Sequence, residues 1–506
     1  MAYAPILLTF PADHPKLSRL ILFLLGCLTT LAFEPFGLSL LAPLVIVPLL
    51  FICVTVSPRD AAGHGFWYGF GLFLTGTYWI YISVVVFGQA PVWVALLLML
   101  GLTLIMALWL ALAGWLTSHL SRGDTWLLLL VAPAAWVLVE WLRGWVLSGF
   151  PWLALGYSQV DSGYAGWAPV AGVYAVSFAV VFSAAALLAA INSRLRLRIV
   201  ATVLVFVPWI LGGVLTLVDW TEADGDELRA TILQYGIQQD QKWLRENRQR
   251  TLDYYRDGTR IARSSNIVVW PEVAVPSLAG REAAFIGQLA SDARESGQNI
   301  VFGILEDVED RGERLIYNSV LKLNAAGRQY YRKRHLVPFG EYFPVPEKVR
   351  EWMRMMSLPH IDLAPGAPEQ ALLSLADGTE VATMVCYEDA YGAEQRYAFP
   401  AAGLIINVSN DAWFGDSIAP HQHLQIARMR SLEFGRPTIR ATNTGISAFI
   451  DHEGELVRTG AQFREVAMTE MVQPRRGATP YTAGGNWPII GLSGLLVGFF
   501  WIRARS

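Results

Sequence analysis

The sequence predicts a membrane α-helical bundle joined to an extramembrane α/β layered domain. Of its 506 residues, 54% are hydrophobic and the mean hydropathy is +0.38, which is too apolar for an ordinary soluble enzyme. The charged residues are concentrated, since roughly four-fifths of them lie between residues 219 and 476. One polypeptide therefore combines a lipid-soluble part with a water-soluble part. The net charge of −3 argues neither for nor against an acidic partner, and we expect no nucleic-acid partner.

Eight apolar stretches are long enough to cross about 30 Å of hydrocarbon. They cover residues 17–33, 38–56, 66–87, 92–116, 126–145, 168–191, 199–218 and 487–502. We expect a transmembrane bundle of seven spans over residues 1–218, a polar block over residues 219–483 and a C-terminal transmembrane helix over residues 484–506. At the start of the first stretch, Lys16 and Arg19 precede an apolar core, as in a signal peptide. Because no clear cleavage site follows it, we expect a retained anchor.

The basic residues of the short loops predict the orientation. Numbering the loops alternately, one side carries only Arg143. The other side carries Lys16, Arg19, Arg59, Arg122, Arg194, Arg196, Arg198, Arg503 and Arg505. Since an excess of Lys and Arg marks the cytoplasmic side, seven spans place the polar block across the membrane. We therefore expect a multi-pass protein of the bacterial inner membrane, with this block in the periplasm of a Gram-negative cell.

The polar block alternates strand and helix patterns, which predicts an α/β layered domain. Strands are predicted at residues 230–237, 266–270, 380–386, 403–408, 438–441 and 447–450, and helices at 242–263, 281–295 and 421–434. Residues 316–323 and 329–332 predict a hairpin. Its turn ends at Gly327, a residue suited to a left-handed position.

Cys386 is the only cysteine of the polar block, so no disulfide can form within that block. It ends a predicted strand at a turn, which is where an α/β sheet presents a nucleophile. A cysteine is more often a small buried hydrophobe. Glu272 and Lys333 also end strand-like runs, however. A thiol, a carboxylate and an ammonium are the groups needed for acyl transfer through a thioester.

Each of these groups suits one step of ester cleavage. The nucleophile is a thiolate, so Glu272 is the candidate base that takes the proton of Cys386. Glu272 is then expected to protonate the departing alcohol and later to deprotonate the incoming ammonium. Lys333 and the backbone N–H of Tyr387 are expected to stabilise the oxyanion, an effect worth roughly 3–4 kcal/mol per donor. We expect Glu341 to orient Lys333 or the incoming amine.

These motifs resemble a known family in their order and spacing. Trp270-Pro271-Glu272, the run from Lys333 to Glu341 and Cys386-Tyr387-Glu388 resemble the Glu-Lys-Cys pattern of the nitrilase (carbon–nitrogen hydrolase) superfamily. With the flanking spans, the run from Glu140 to Trp152 and the run from Ser409 to Asp416, the chain resembles the apolipoprotein N-acyltransferases of Gram-negative bacteria. This resemblance covers essentially the whole length.

The resemblance implies a nitrilase-like layered sandwich and a ping-pong acyl transfer. The family moves an acyl chain from a phospholipid, typically phosphatidylethanolamine, onto the cysteine. It then passes the chain to the α-amino group of the S-diacylglyceryl cysteine of an apolipoprotein, the last step of lipoprotein maturation. Because the donor ester is already activated, no cofactor and no metal are expected. The resemblance also implies active-site roles for Glu341, Tyr387 and Glu388, with supporting contacts from Trp243.

Simpler interpretations of several residues stay open. Glu388 is also suited to begin a helix, and Tyr387 to pack in the core. We expect His335 to be structural. The pair His421 and His423 is not expected to bind a metal, because side chains two positions apart on a helix point in different directions.

Two features of the apolar sequence are also of interest. Glu140 and Arg143 lie three residues apart on one helix, so a mutual ion pair is expected, and a role in handling the phospholipid headgroup is the alternative. The apolar side chains of residues 344–359, which include Trp352, Met353, Met355 and Met356, suit a mobile lid over acyl chains.

Three other functions compete with acyl transfer. A membrane-tethered nitrilase-type amidase would use the same three residues and release the acyl group to water. A transporter with a periplasmic binding domain is disfavoured, because the spans contain few ionisable residues and no evident pair of broken helices. A scaffold with an inactive domain is disfavoured because all three catalytic residue types are present. We expect a monomer, since a domain held on a membrane bundle has less freedom to dimerise.

Overall fold

The computed structural model describes residues 10, 13–88, 90–310, 312–343, 345–349, 351 and 362–505. Trp352, Met353, Met355 and Met356, which are predicted to form a lid, lie outside these residues. The chain divides into two units. The first comprises Met1–Trp220, Phe414–Glu433 and Thr479–Ser506, and the second comprises Thr221–Trp413 and Phe434–Ala478. The domain boundaries expected at residues 218 and 484 stay predictions.

The first unit is helical. Its N-terminal helices are α1 (Pro15–Thr29), α2 (Leu41–Thr55), α3 (Pro58–Gly76), α4 (Trp79–Ile82), α5 (Val92–Ser121), α6 (Leu128–Arg143), α7 (Ala168–Asn192) and α8 (Leu195–Leu215). Large apolar side chains face outward, for example Leu97 at 64% exposure and Leu108 at 59% on α5. An apolar outer surface of this kind suits a lipid environment, in which the helix satisfies its own backbone groups.

Five helices of the described chain are long and apolar enough to cross a membrane. They are Pro15–Ala32, Val92–Ser121, Gly163–Asn192, Leu195–Leu215 and Trp487–Arg505. Pro58–Gly76 and Trp79–Val86, bent by 48°, count as a sixth if they form one span. α2 has 15 residues and α6 has 16. Each therefore rises only about 22–24 Å, which is short of about 30 Å of hydrocarbon. Five or six spans are supported, and the predicted count of eight is not confirmed.

Glycines allow α1 and α3 to pack closely. A Cβ built at Gly26 would lie 2.0 Å from the carbonyl oxygen of Tyr68, and one at Gly71 would lie 2.1 Å from that of Phe23. No side chain can be added at either position without moving a backbone. Such backbone contact through small residues is typical of helices that associate in a membrane.

The second unit contains all the strands of the described residues. They are β1 (Thr221–Ala223), β2 (Leu228–Gln234), β3 (Ile267–Val269), β4 (Val275–Leu278), β5 (Asn299–Asp310), β6 (Glu313–Asn324), β7 (Gly327–Arg332), β8 (Leu373–Ser374), β9 (Glu380–Val385), β10 (Leu404–Ser409), β11 (Thr438–Thr442), β12 (Ala448–Ile450), β13 (Leu456–Thr459), β14 (Val466–Val472) and β15 (Arg475–Gly477). Its helices are α9 (Gln239–Lys242), α10 (Arg245–Ile261), α11 (Ala283–Ser296) and α12 (Gly392–Gln395). The later helices of the chain are α13 (Ala419–Phe434), α14 (Pro480–Gly484) and α15 (Trp487–Arg505).

These strands form two main sheets that pack face to face. One sheet has the order β13-β12-β11-β10-β9-β8, and the other has the order β14-β2-β3-β5-β6-β7, with β4 paired to β5. Their facing side chains form one buried cluster, to which the second sheet contributes Ile232 and Val301 and the first contributes Val385 and Ile406. On the other face of the second sheet, a separate apolar cluster lies under α10 and α11. The predicted α/β layered sandwich is therefore confirmed.

The predicted elements match this fold unevenly. The hairpin is confirmed, because β6 and β7 are antiparallel and Gly327 has a φ of 123°. The helix predicted over residues 242–263 is wrong at its start, where Trp243 and Leu244 separate α9 from α10. The strands that were not predicted are β1, β4, β5, β8, β13, β14 and β15.

Candidate active site

Loops at the carboxyl ends of three strands carry the predicted catalytic side chains. Glu272 comes after β3, Lys333 directly follows β7 and Cys386 directly follows β9. β3 is parallel to β5, and β9 is parallel to β10. Functional groups of α/β sheets gather at such carboxyl ends, because the loops there leave the sheet on the same side.

The backbone of Glu272 lies directly against β5. The N–H of Gly303 donates a hydrogen bond to the carbonyl of Pro271 at 3.1 Å. A Cβ built at Gly303 would lie 2.6 Å from the Cα of Glu272 and 2.4 Å from the backbone nitrogen of Val273. Only glycine therefore allows β5 to approach this loop and hold Glu272 in place.

Lys333 lies between two carboxylates. Its Nζ is 2.8 Å from Oε2 of Glu341 and 3.6 Å from Oε1 of Glu272. The Lys333 side chain is 1% exposed, so both ion pairs are shielded from water. The N–H of Val337 donates to Glu341 at 2.8 Å, which fixes the second carboxylate. The structure therefore brings together the predicted base, the predicted ammonium and the predicted orienting residue.

The carboxylates keep Lys333 charged. Burial by itself lowers the pKa of the Lys333 ammonium, but the charges of Glu341 and Glu272 outweigh it, so the pKa lies above its ordinary value. A permanent cation is the form that stabilises a developing oxyanion.

Cys386 begins a tight turn with strained backbone. Residues Cys386–Ala390 form a 3₁₀ turn directly after β9, and Cys386 has a φ of 52°. For a residue with a Cβ this left-handed conformation costs about 1–2 kcal/mol. A sharp strand-to-turn transition of this kind presents a nucleophilic side chain at the end of a sheet.

Glu388 links the segments that carry Cys386 and Lys333. Its fully buried carboxylate accepts hydrogen bonds from the backbone N–H of Val385 and of Arg334, each at 2.7 Å. Burial raises the pKa of Glu388, while these donors oppose that shift. Glu388 therefore supports the site by fixing the distance between the loop that carries Cys386 and the loop that carries Lys333.

The thiol of Cys386 is held in its protonated form. Burial raises its pKa, the carboxylates of Glu272 and Asp411 raise it further, and Lys333 and a hydrogen bond with Ser409 oppose the shift. Glu272 and Lys333 are thus close enough for their charges to act on the sulfur. Because the resting group is a thiol, nucleophilic attack needs a base.

A buried network secures the same turn from its other side. Arg440, which is fully buried, lies 3.1 Å from Oδ2 of Asp389 and 3.1 Å from Oδ2 of Asp411. Ser409 donates to the other oxygen of Asp411 at 3.0 Å. Asp411 lies in the Ser409–Asp416 motif, and Arg440 lay in a predicted strand without a functional assignment.

Lys242 is a second buried ammonium that the motifs did not indicate. It is 2% exposed, and its Nζ donates to the backbone carbonyl of Glu272 at 3.2 Å. Burial lowers the pKa of Lys242 to about 8, although the Glu272 carboxylate opposes the shift. The neighbouring Trp243 is 50% exposed, and its predicted supporting contact stays a prediction.

Tyr387 and His335 belong to one aromatic group. The ring of His335 stacks on Tyr391 with centroids 3.5 Å apart, and the Tyr391 hydroxyl donates to that of Tyr387 at 3.1 Å. His335 also lies 3.1 Å from Glu394. These contacts agree with a structural role for His335. Tyr387 directly follows Cys386 in the chain, so the aromatic group adjoins the nucleophile.

Glu140 and Arg143 hold the loop after α6 within the first unit. Glu140 accepts hydrogen bonds from the indole N–H of Trp136 and the backbone N–H of Leu155, each at 2.8 Å. Arg143 donates to the carbonyl of Phe150 at 2.7 Å. Loop positioning is thus a role for both residues beyond the expected mutual pair.

The layered sandwich and the Glu-Lys-Cys cluster define a protein of the carbon–nitrogen hydrolase class. The Carbon-nitrogen hydrolase family profile matches residues 229–481, and that of the Apolipoprotein N-acyltransferase N-terminal domain matches residues 25–186. A solved CN-hydrolase superfamily structure from Xanthomonas campestris covers 53% of this chain and 97% of that chain, with 18% identity and a TM-score of 0.37.

Relatives along the whole chain narrow this class to one family. The chain is 41% identical to an apolipoprotein N-acyltransferase of Methylococcus capsulatus, over 95% of each chain. It is 37% identical to that of Photobacterium profundum, over 97% of this chain and 96% of the relative. It is 38% identical to that of Pseudomonas putida, over 95% of each chain. The chain therefore belongs to the apolipoprotein N-acyltransferase family.

Proposed function

We propose that this acyltransferase moves an acyl chain from a membrane phospholipid, through a thioester on Cys386, to the α-amino group of the S-diacylglyceryl cysteine of an apolipoprotein. Family membership over the whole chain supports lipoprotein N-acylation as the activity. The observation that carries the mechanism is the placement of Lys333, 3.6 Å from Glu272, with the charges of both acting on Cys386.

In the first half-reaction the phospholipid ester is cleaved. Glu272 takes the proton of the Cys386 thiol, and the thiolate attacks the ester carbonyl carbon. Lys333 and the backbone N–H of Tyr387 stabilise the oxyanion of the tetrahedral intermediate. The carbon–oxygen bond then breaks, Glu272 returns its proton to the departing lysophospholipid alcohol, and the acyl group remains on sulfur.

In the second half-reaction the thioester is consumed. Glu272 takes a proton from the α-ammonium of the acceptor, and the free amine attacks the thioester carbonyl. Glu272 releases this first proton to water and takes a second proton from the attacking nitrogen. That second proton passes to the sulfur as the carbon–sulfur bond breaks and the amide forms. Glu341 lies 2.8 Å from Lys333 and keeps the Lys333 ammonium in place through both half-reactions.

We infer the setting of the reaction from the family resemblance together with the chain's charges and apolar helices. We infer phosphatidylethanolamine as donor and the bacterial inner membrane as location, with the catalytic unit in the periplasm. The basic loops support this orientation. The donor ester is already activated, so the proposed chemistry calls for no cofactor. We infer a monomer.

The acyl-enzyme is directly testable. Purified full-length protein incubated with phosphatidylethanolamine, without acceptor, is expected to gain one acyl mass on the Cys386 peptide, and hydroxylamine is expected to remove it. Glu272→Gln is expected to prevent its formation. Adding an S-diacylglyceryl peptide is expected to discharge it into an amide. Mass spectrometry of protein and products measures each step.

A matched cysteine provides the control. Cys53 is buried within α2, so Cys53→Ala is expected to form the adduct as the wild type does. Unchanged transfer in Cys386→Ala would refute the thioester. Release of free fatty acid in place of the amide would identify an amidase that uses the same residues.

A further inference from the structure

Asn318 of β6 joins the two carboxylates of the site. Its Nδ2 donates to Oε1 of Glu272 at 2.7 Å and to Oε1 of Glu341 at 2.9 Å. A carboxamide has two N–H bonds, so both are used by carboxylates. Asn318 is 3% exposed, and water does not compete for these bonds.

The same residue also holds the catalytic ammonium through the backbone. The N–H of Lys333 donates to the carbonyl oxygen of Asn318 at 2.8 Å. Asn318 therefore contacts Glu272, Glu341 and the backbone of Lys333. No motif in the sequence indicated this role.

Two buried carboxylates near each other repel, and each needs a partner that favours its charged form. The charged groups that face Glu272 are Lys333, Glu341 and Lys242, and the titratable thiol of Cys386 also faces it. Lys333 lies closer to Glu341, at 2.8 Å, than to Glu272, at 3.6 Å. The Nδ2 of Asn318, at 2.7 Å, therefore lies closer to the Glu272 carboxylate than the Lys333 ammonium does.

A contribution to stability does not by itself explain why residue 318 is an asparagine. Its Oδ1 is buried and has no hydrogen-bond partner in the described part of the chain. A buried acceptor without a partner costs free energy. The unpartnered Oδ1 of Asn318 therefore lowers the stability of the protein, while its Nδ2 donates hydrogen bonds to two carboxylates. This combination is expected of a functional residue.

We propose that Asn318 is a positioning residue for acyl transfer, whose Nδ2 holds Glu272 and Glu341 in place around Lys333 and aims Glu272 at the thiol of Cys386. This inference rests on the proposed function. It adds a fourth residue, acting through Glu272 and Glu341, to the three that touch the reacting atoms.

Asn318→Asp tests the proposal with almost no change in volume. It replaces both N–H donors by a third carboxyl group, so Glu272 should be protonated over a wider range of pH. The rate of acyl-adduct formation from phosphatidylethanolamine is measured from about pH 5 to about pH 9. The acidic limb of the profile is expected to move upward by about one unit, with a roughly tenfold loss of rate on that limb.

Asn324 offers a matched control on the same strand. It is 2% exposed, and its Nδ2 donates to Asn299 at 3.0 Å and to the Ser374 carbonyl at 3.3 Å. Asn324→Asp loses a similar pair of donors away from the carboxylates. Its acidic limb is expected to match that of the wild type, while its thermal unfolding changes.

Asn318→Ala is the second variant. It tests the positioning role of Asn318 if thermal unfolding shows that Asn318→Asp does not fold. It also removes both donors and should move the limb upward. If the folded Asn318 variants show the same acidic limb of the pH profile as the wild type, the inference about Asn318 is wrong, and the thioester mechanism is unaffected. Absence of any adduct in the wild type would instead refute the proposed function.

Discussion

The protonation of Cys386 depends on charges of opposite sign in its surroundings. Burial and the Glu272 carboxylate raise the pKa of the thiol, and the Lys333 ammonium lowers it. The same two residues are proposed to act as base and as oxyanion donor. Their electrostatic effect on the thiol can therefore be separated from their effect on catalysis.

Glu272→Gln and Lys333→Met are expected to change alkylation of Cys386 in opposite directions. At mildly alkaline pH hydroxide takes the thiol proton, so alkylation follows the thiolate fraction and does not need Glu272 as a base. Removing the carboxylate lowers the pKa of the thiol, so iodoacetamide should modify the Cys386 peptide faster. Removing the ammonium raises the pKa, so modification should slow. A shift of about one unit changes the thiolate fraction about tenfold. Acyl-adduct formation should be lost in both variants.

Glu306→Gln serves as the control for this pair. Glu306 lies on β5 and pairs with Arg332 at 2.8 Å, so the variant also removes a paired carboxylate from the same sheet. Alkylation and acylation of Cys386 should both stay as in the wild type. Slower alkylation in Glu272→Gln would contradict the assigned sign of the charge effect.

Among the elements, the pairing of β3 with β5 determines where the base lies. Gly303→Ala places a Cβ 2.6 Å from the Cα of Glu272 and 2.4 Å from the next backbone nitrogen. Because both contacts are with backbone, the Glu272 loop must move. We expect acyl-adduct formation to fall by at least about a hundredfold, since misplacement of about 1 Å has effects of that size.

Gly287→Ala is the matched control for this prediction. Gly287 lies within α11, and a Cβ there meets no atom within 4 Å. Alanine in a helix is expected to stabilise the protein by about 0.5–1 kcal/mol and to leave adduct formation unchanged. Thermal unfolding and the mass of the Cys386 peptide measure the two effects. Wild-type acylation in Gly303→Ala would show that the close approach of β5 is not needed.

Apolar runs and alternating patterns predicted eight of the fifteen described strands, and β5 is among the seven that were not predicted. The runs before Cys386 and Trp270 predicted β9 and β3, because a short buried strand is apolar on both faces. β5 also contains an apolar run from Ile300 to Leu305, and its Gly303 weakens that pattern. Missing β5 meant missing the strand that holds the Glu272 loop.

For the whole molecule, the asymmetry of basic loops predicts which side of the membrane holds the catalytic unit. Asp226 and Arg196 are exposed; Arg196 lies in the first turn of α8, and Asp226 follows the end of that helix in the sequence. A cysteine introduced at Asp226, in a chain whose own cysteines are replaced by alanine, is expected to react with a membrane-impermeant maleimide in intact spheroplasts. A cysteine introduced at Arg196 should react only after lysis.

Gel-shift of the labelled protein measures both positions in one experiment, and each position controls the other. The physical reason is that Lys and Arg in short loops resist translocation. The reverse labelling pattern would place the catalytic unit in the cytoplasm and would contradict the proposed orientation.

The sequence by itself determined the chemical groups and their setting. Hydropathy separated the apolar helices from the polar block, and strand-ending motifs singled out Cys386, Glu272 and Lys333, because composition and short-range periodicity are local properties. Only the tertiary structure decided how these groups are held. Asn318 and Lys242 reach Glu272 from segments 46 and 30 residues away. Strand pairing and the packing of two sheets create such contacts, and no local pattern encodes them.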